Sequence, residues 1–146
     1  MKINVLGEQK EALQLMLQKP FAEQIIAGTK RLEIRSFSPF YVKTLLNVDN
    51  FNQWVAAGLP AEHKPIFKKK INYLHFTNRN RSWFLNVEVR QHFVEFLTYE
   101  NVLQLQKEFN CHDLDCMLPQ LKALKESDLL DNVICFELGK VIDTNL

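Results

Sequence analysis

The chain has 146 residues, 47% of them hydrophobic and eleven of them Phe, which is enough for one sizeable core in one domain. No apolar run approaches the roughly 18 residues that a membrane-spanning helix needs, and a net charge of +1 does not by itself mark a nucleic-acid binder. An odd cysteine count of three argues against a disulfide framework; with charges scattered through residues 1–16 and no apolar h-region, this predicts a cytoplasmic protein without a signal peptide.

Residues 1–12 are polar and read as loosely held. Ala12 to Gln18, with Leu13, Leu15, Met16 and Leu17, reads as a short buried strand. A helix follows: Pro20 suits its first turn, where the missing N–H costs nothing, and Phe21, Ala22, Ile25 and Ile26 form an apolar stripe. Gly28 stands where a helix takes a left-handed C-terminal residue. From Arg31 the period switches to two, with Leu32 and Ile34 on one face and Arg31, Glu33 and Arg35 on the other. Ser36 to Tyr41 reads as a turn or extended loop around Pro39. Further on, Asp49 or Asn50 is placed to cap a helix carrying Phe51, Trp54 and Val55, with Gly58 stopping it.

Lys70 to Thr77 alternates like a strand, and Asn78 to Ser82 reads as a hairpin loop. The next strand starts at Trp83 with Leu85, Val87 and Val89 on one face; after Gln91-His92 the apolar phase flips to Val94 and Phe96. A flip of this kind predicts a bulge or bend within one strand over residues 83–97, as the corner of a small barrel requires. Thr98 reads as the N-cap of a helix with Val102, Leu105 and Phe109 on its buried face. Pro119 opens a second helix with Leu121 and Leu124, and Asn132 to Ile142 reads as a closing strand.

The run Gly28-x-Lys30-x-x-Glu33-x-Arg35, behind a short helix headed by Lys19-Pro20, resembles the ASCH domain, a branch of the PUA-like superfamily. The resemblance implies an α+β fold: a PUA-like bent β-barrel of five or six strands with helices at the rim, formed by one domain over residues 1–146. Against that pattern residues 42–60 are an atypical insertion, either a helix closing one barrel end or a lid. The fold implies RNA or a nucleotide-like ligand. Some ASCH relatives are amidohydrolases acting on an acylated cytidine, and another is described as a ribonuclease. The amidohydrolases use a Lys of this motif, a Thr three residues later and a Glu from the helix after the long strand. Lys30 matches the Lys; Glu33 stands at the Thr position, so a hydroxyl is missing there; Glu108 matches the helix Glu only loosely.

Lys30, Glu33 and Arg35 are the main constellation, with Lys19 expected near the mouth of the pocket they line. Arg offers a planar fork of donors for a phosphate or a base edge, and Glu accepts from an amino group or takes a proton. If the protein is an enzyme, Lys30 and Glu33 are its catalytic candidates. The competing reading of the trio is a ladder of surface ion pairs.

The charge distribution is uneven. Residues 63–87 hold six basic side chains and no acid, whereas residues 93–137 hold nine acids against three lysines. Around the predicted hairpin Tyr73, Phe76 and Trp83 interleave with Arg79 and Arg81; the aromatics read as core, and Arg79 and Arg81 as ligand contacts. Cys111, His112, Asp113, Asp115 and Cys116 are metal-ligand types, but a second paired set is missing, so no metal and no cofactor is expected. His75 and His92 are of a type that can be catalytic, but each is alone on a strand and reads as a structural or surface residue. The function expected is a binding module for RNA or a modified nucleotide. The alternatives are a small hydrolase acting on a nucleoside or RNA, and a protein-interaction domain with a vestigial pocket.

Overall fold

The computed structural model describes residues 1–124 and 131–146. The chain divides into two compact units, one of residues 1–34 with 71–146 and one of residues 35–70. Of the charged residues counted over residues 93–137, Lys125, Glu126 and Asp128 lie outside the described residues. The class is α+β, with a mixed five-stranded sheet curled into a half-barrel and five α-helices among the described residues.

The first unit opens with strands β1 (Lys2–Val5) and β2 (Glu8–Glu11), paired antiparallel, instead of a loose terminus. Two local features explain the difference. Leu6 and Gly7 both have positive φ, 52° and 85°, as a two-residue type I′ hairpin turn requires. Ile3, Val5 and Ala12 form a small buried cluster against Tyr73 and Ile142, so even two inward positions suffice to hold the hairpin.

Strand β3 (Leu13–Met16) leads into helix α1 (Lys19–Ala27), which Gly28 ends at φ 80° with its N–H on the Gln24 and Ile25 carbonyls. Strand β4 (Leu32–Ser36) follows. In the second unit Ser38 caps helix α2 (Pro39–Leu45), where the sequence suggested a loop; Pro39 occupies the first helical turn. Helix α3 (Val48–Ala56) is capped by Asn47, whose side chain accepts from the Asn50 N–H, two or three residues before the expected cap.

Back in the first unit, β5 (Tyr73–Thr77) and β6 (Phe84–Phe96) form the expected hairpin. Strand β6 is continuous but its register against β7 (Asn132–Thr144) shifts between Asn86 and Val87, Val87 and Val89, and Val89 and Gln91. The irregularity thus ends at the phase flip read from the sequence and extends upstream of it. The strand order is β3-β5-β6-β7-β4, with β3 and β5 parallel; β7 therefore lies inside the sheet between two neighbours.

Between β6 and β7 the chain forms α4 (Tyr99–Phe109), a 3₁₀ turn at Asp115–Met117 and α5 (Leu118–Ala123). The Thr98 side chain accepts from the Asn101 N–H, which satisfies a donor that the helix itself cannot. Val102, Leu105 and Phe109 pack with Leu32, Leu97, Leu121, Val133 and Cys135 into the main cluster on this side of the sheet. Asn110 ends α4 at φ 52° and turns residues 111–113 back.

Leu6 sits fully exposed at the hairpin tip in a left-handed conformation that an L side chain adopts at a cost of about 1–2 kcal/mol. Leu6→Asn therefore removes strain and no contact, and is expected to raise stability by about 0.5–1 kcal/mol in urea denaturation. An unchanged or lowered midpoint would contradict the turn assignment.

Candidate functional site

Two left-handed helix ends build the site. Past Gly28, the N–H groups of Thr29 and Lys30 both donate to the Gln24 carbonyl, at 3.0 and 3.2 Å, so the chain turns tightly and aims Lys30 back toward the end of α4. Past Asn110, the chain folds the other way and brings Asp113 to meet it. Lys30 Nζ donates to Asp113 Oδ2 at 3.1 Å and to the Leu32 carbonyl at 3.0 Å, and lies 3.7 Å from Glu33 Oε2. The ammonium also sits 5.7 Å from the centre of the Phe21 ring, within cation–π range. The Lys30 side chain is 9% exposed and that of Glu33 7%. Beside this knot Arg31 reaches across and donates from Nη2 to the Glu108 carbonyl at 3.0 Å, which satisfies one of the orphan carbonyls at the C-terminus of α4.

The two turns enclose a cleft of about 150 Å³. Leu32 and Phe109 give it an apolar floor, and Lys30, Arg31, Asn110 and Asp113 give it a rim that mixes donors and acceptors. Cys111 and His112 also line it. Burial pushes the Cys111 thiol up, outweighing the Asp113 N–H bond that favours the thiolate, so this cysteine is a poor nucleophile. The His112 ring is held by Asp115: Nδ1 lies 2.9 Å from Oδ2, and Nε2 lies 3.2 Å from Asn110 Oδ1. A Gln106 amide bond, and then His112, hold the Asp115 carboxyl below its usual value. Among the described residues no group of three His, Cys, Asp or Glu side chains is placed to hold a metal ion.

The residues singled out in the sequence fall in different places. Lys30 lines the cleft, whereas Glu33 is buried against Lys30 and is not part of its wall. Lys19 pairs with Glu23 at 4.0 Å and borders a separate depression with Ile26, Asn145 and Leu146. Arg35 belongs to the second unit, where its Nη1 donates to Tyr41 Oη at 3.3 Å. Arg79 and Arg81 are exposed in the β5–β6 loop, Arg81 with φ 56°. The aromatics around them are not exposed platforms: Phe76 is wholly buried, Trp83 is buried and Tyr73 half-buried. Glu108 accepts from the Gln104 amide within α4. His75 is buried beside Asn86 and stacks on Phe84, and His92 accepts from the Ile71 N–H, both of which are structural engagements.

Asp113, Arg31 and His112 are the site residues that sequence reasoning passed over. The Cys-His-Asp run drew attention as metal-ligand types, but nothing in it indicated a contact with a lysine 83 residues away. No family model, curated protein or solved structure matches this chain.

Removing the Lys30 cation leaves the Glu33 carboxylate buried without its ammonium neighbour. Lys30→Met is expected to cost about 3 kcal/mol or more in urea denaturation, and Lys30→Met with Glu33→Gln to recover over half of that loss. Additive losses would show that the two side chains do not depend on each other.

The half-buried Glu95 on β6 gives a pH signature. Burial first, then the charge of Glu108, raises its carboxyl above the usual 4.5. An acid with a raised folded-state value contributes stability below its unfolded value and loses that contribution as pH rises through the folded one. Glu95→Gln should therefore raise the melting temperature at pH 7 to 8 and leave it unchanged near pH 4; an increase of equal size at both pH values would point to packing, not ionisation.

Proposed function

We propose that this chain is an ASCH-like, PUA-like module that binds a nucleobase or modified nucleotide, free or within RNA, at the cleft between the α1–β4 turn and the residues after α4. The observation that carries this reading is the cleft's make-up: an apolar floor under a rim where Arg31 donates and Asp113 and Asn110 accept, with Lys30 holding Asp113 in place. A base needs apolar contact for its face and paired donors and acceptors for its edge. The volume of about 150 Å³ is below the roughly 300–1,000 Å³ of pockets that enclose a whole drug-sized ligand; it suits a base edge inserted from a larger molecule. Among the described residues no helix is long and apolar enough to cross a membrane.

The hydrolase alternative draws support from one feature, the Asp115-held imidazole of His112 at the cleft. Its Nδ1 lies against the Asp115 carboxylate and its Nε2 lies 3.2 Å from Asn110 Oδ1, so Nε2 can take a proton only once the Asn110 contact opens. Against it stand the engaged donors of Lys30, the depressed nucleophilicity of Cys111 and the Glu at the motif's Thr position.

Calorimetry with free bases, nucleosides and nucleoside monophosphates tests the binding reading. At least one is expected to bind, and Asp113→Asn and Arg31→Gln to weaken it about tenfold with unchanged circular dichroism. Absence of binding at millimolar concentration across the series would overturn it, and turnover of an acylated cytidine or of RNA that His112→Ala abolishes would move the assignment to the hydrolase.

A further inference from the structure

The second unit has a charge of its own. Residues 35–70 carry Arg35, Lys43, Lys64, Lys68, Lys69 and Lys70 against Asp49 and Glu62, six minus two or +4, which leaves −3 for the rest of a chain whose total is +1. The fold of this unit gathers part of that charge. An extended segment runs beside the α2–α3 link: the Asn47 N–H donates to the Ile66 carbonyl and the Lys68 N–H to the Leu45 carbonyl, both at 2.8 Å, with Leu46 bridging to Phe67. Lys68 thereby comes to the end of α2, where its ammonium donates to the Lys43 carbonyl. That contact uses one of three N–H groups and leaves the others outward.

A groove of about 570 Å³ lies here, with Val42, Leu46 and Val48 on its floor, Lys43 and Lys68 on its rim, and Asp49 as its one acid. Phe40 stands 69% exposed on α2, three residues before Lys43 and so on the same helix face. Lys69 and Lys70 are exposed just beyond Lys68. The unit thus offers an open depression with two ammonium groups on its rim and, beside it on α2, an exposed aromatic ring that meets Tyr41 edge-on with centroids 5.3 Å apart.

We propose that this groove is a docking surface for single-stranded RNA, with Lys43, Lys68, Lys69 and Lys70 neutralising phosphates and Phe40 stacking on a base. A positively charged groove beside an exposed aromatic is the arrangement that tracks a single strand without reading its sequence. Six cations against two acids over residues 35–70 fit a polyanionic strand whose bases meet the exposed ring. This inference is independent of the cleft: it concerns backbone charge and stacking in residues 35–70, whereas the cleft would take a base edge in the other unit.

Fluorescence anisotropy of a twelve-nucleotide oligo(U) with the full chain, from 50 to 200 mM salt, tests it. Lys43→Gln, Lys69→Gln and Lys70→Gln together spare the Lys68 cap; they are expected to weaken binding at least tenfold and to flatten the salt slope by about 2, since each single-strand phosphate contact contributes about 0.7. Phe40→Ala is expected to weaken binding about fivefold or more with the slope unchanged. Free-nucleoside affinity should stay as in the parent for both variants. The proposal fails if oligo(U) does not bind, if the triple variant keeps the parent slope, if Phe40→Ala has no effect, or if vesicles containing phosphatidylserine bind where oligo(U) does not.

Discussion

One lysine, its side chain only 9% exposed, holds two turns of the first unit together. Lys30 ties the turn after α1 to the stretch after α4 by bonding a backbone carbonyl and Asp113, with Glu33 and the Phe21 ring closing round it. Burying a charge is costly unless it is paired and hydrogen-bonded, and here the pairing partners come from both turns. Neither turn is stiff by itself: each depends on one residue in the left-handed region, Gly28 or Asn110. The shared lysine makes the two conformations depend on each other, and the cleft between them has a defined width for that reason.

This arrangement divides the labour among the motif residues. Glu33 is spent on balancing Lys30 inside the protein, so the groups left to face a ligand are those at the rim, Arg31, Asn110 and Asp113. Asp113 is half exposed, at 47%, and is the carboxylate partner of Lys30 that also reaches solvent. In the proposed binding reading it is the group that exchanges an internal contact for an external one. Charge separates along the chain as well, with a net positive second unit and a net negative remainder.

Much of the fold was legible because it rests on local rules. Gly28, Thr98 and Pro119 announce helix boundaries by chemistry that operates within a few residues, and the strand pattern of residues 83–97 carried its own bend as a change of apolar phase. Failures came where a short signal was outvoted by composition. The β1–β2 hairpin has only two inward side chains and a leucine where a turn normally has Asn or Gly, and α2 is announced by a Ser-Pro pair that also fits a loop. The site was half legible. Lys30 stands out in its motif, but its partner Asp113 is a matter of tertiary meeting between two helix ends, and no periodicity in either segment encodes that.

The parallel pairing of β3 with β5 sets Leu13 beside Leu74, with the whole second unit in the intervening chain. Closing a loop of that length is entropically demanding and slows the search for the native register. The demand grows only with the logarithm of length, about 0.6 kcal/mol for each doubling. Once closed, the sheet is therefore nearly indifferent to how long the intervening segment is. Evolution could lengthen, shorten or re-surface residues 35–70 with little thermodynamic consequence for the strands they connect, so this segment is where the fold has most freedom to acquire new partners.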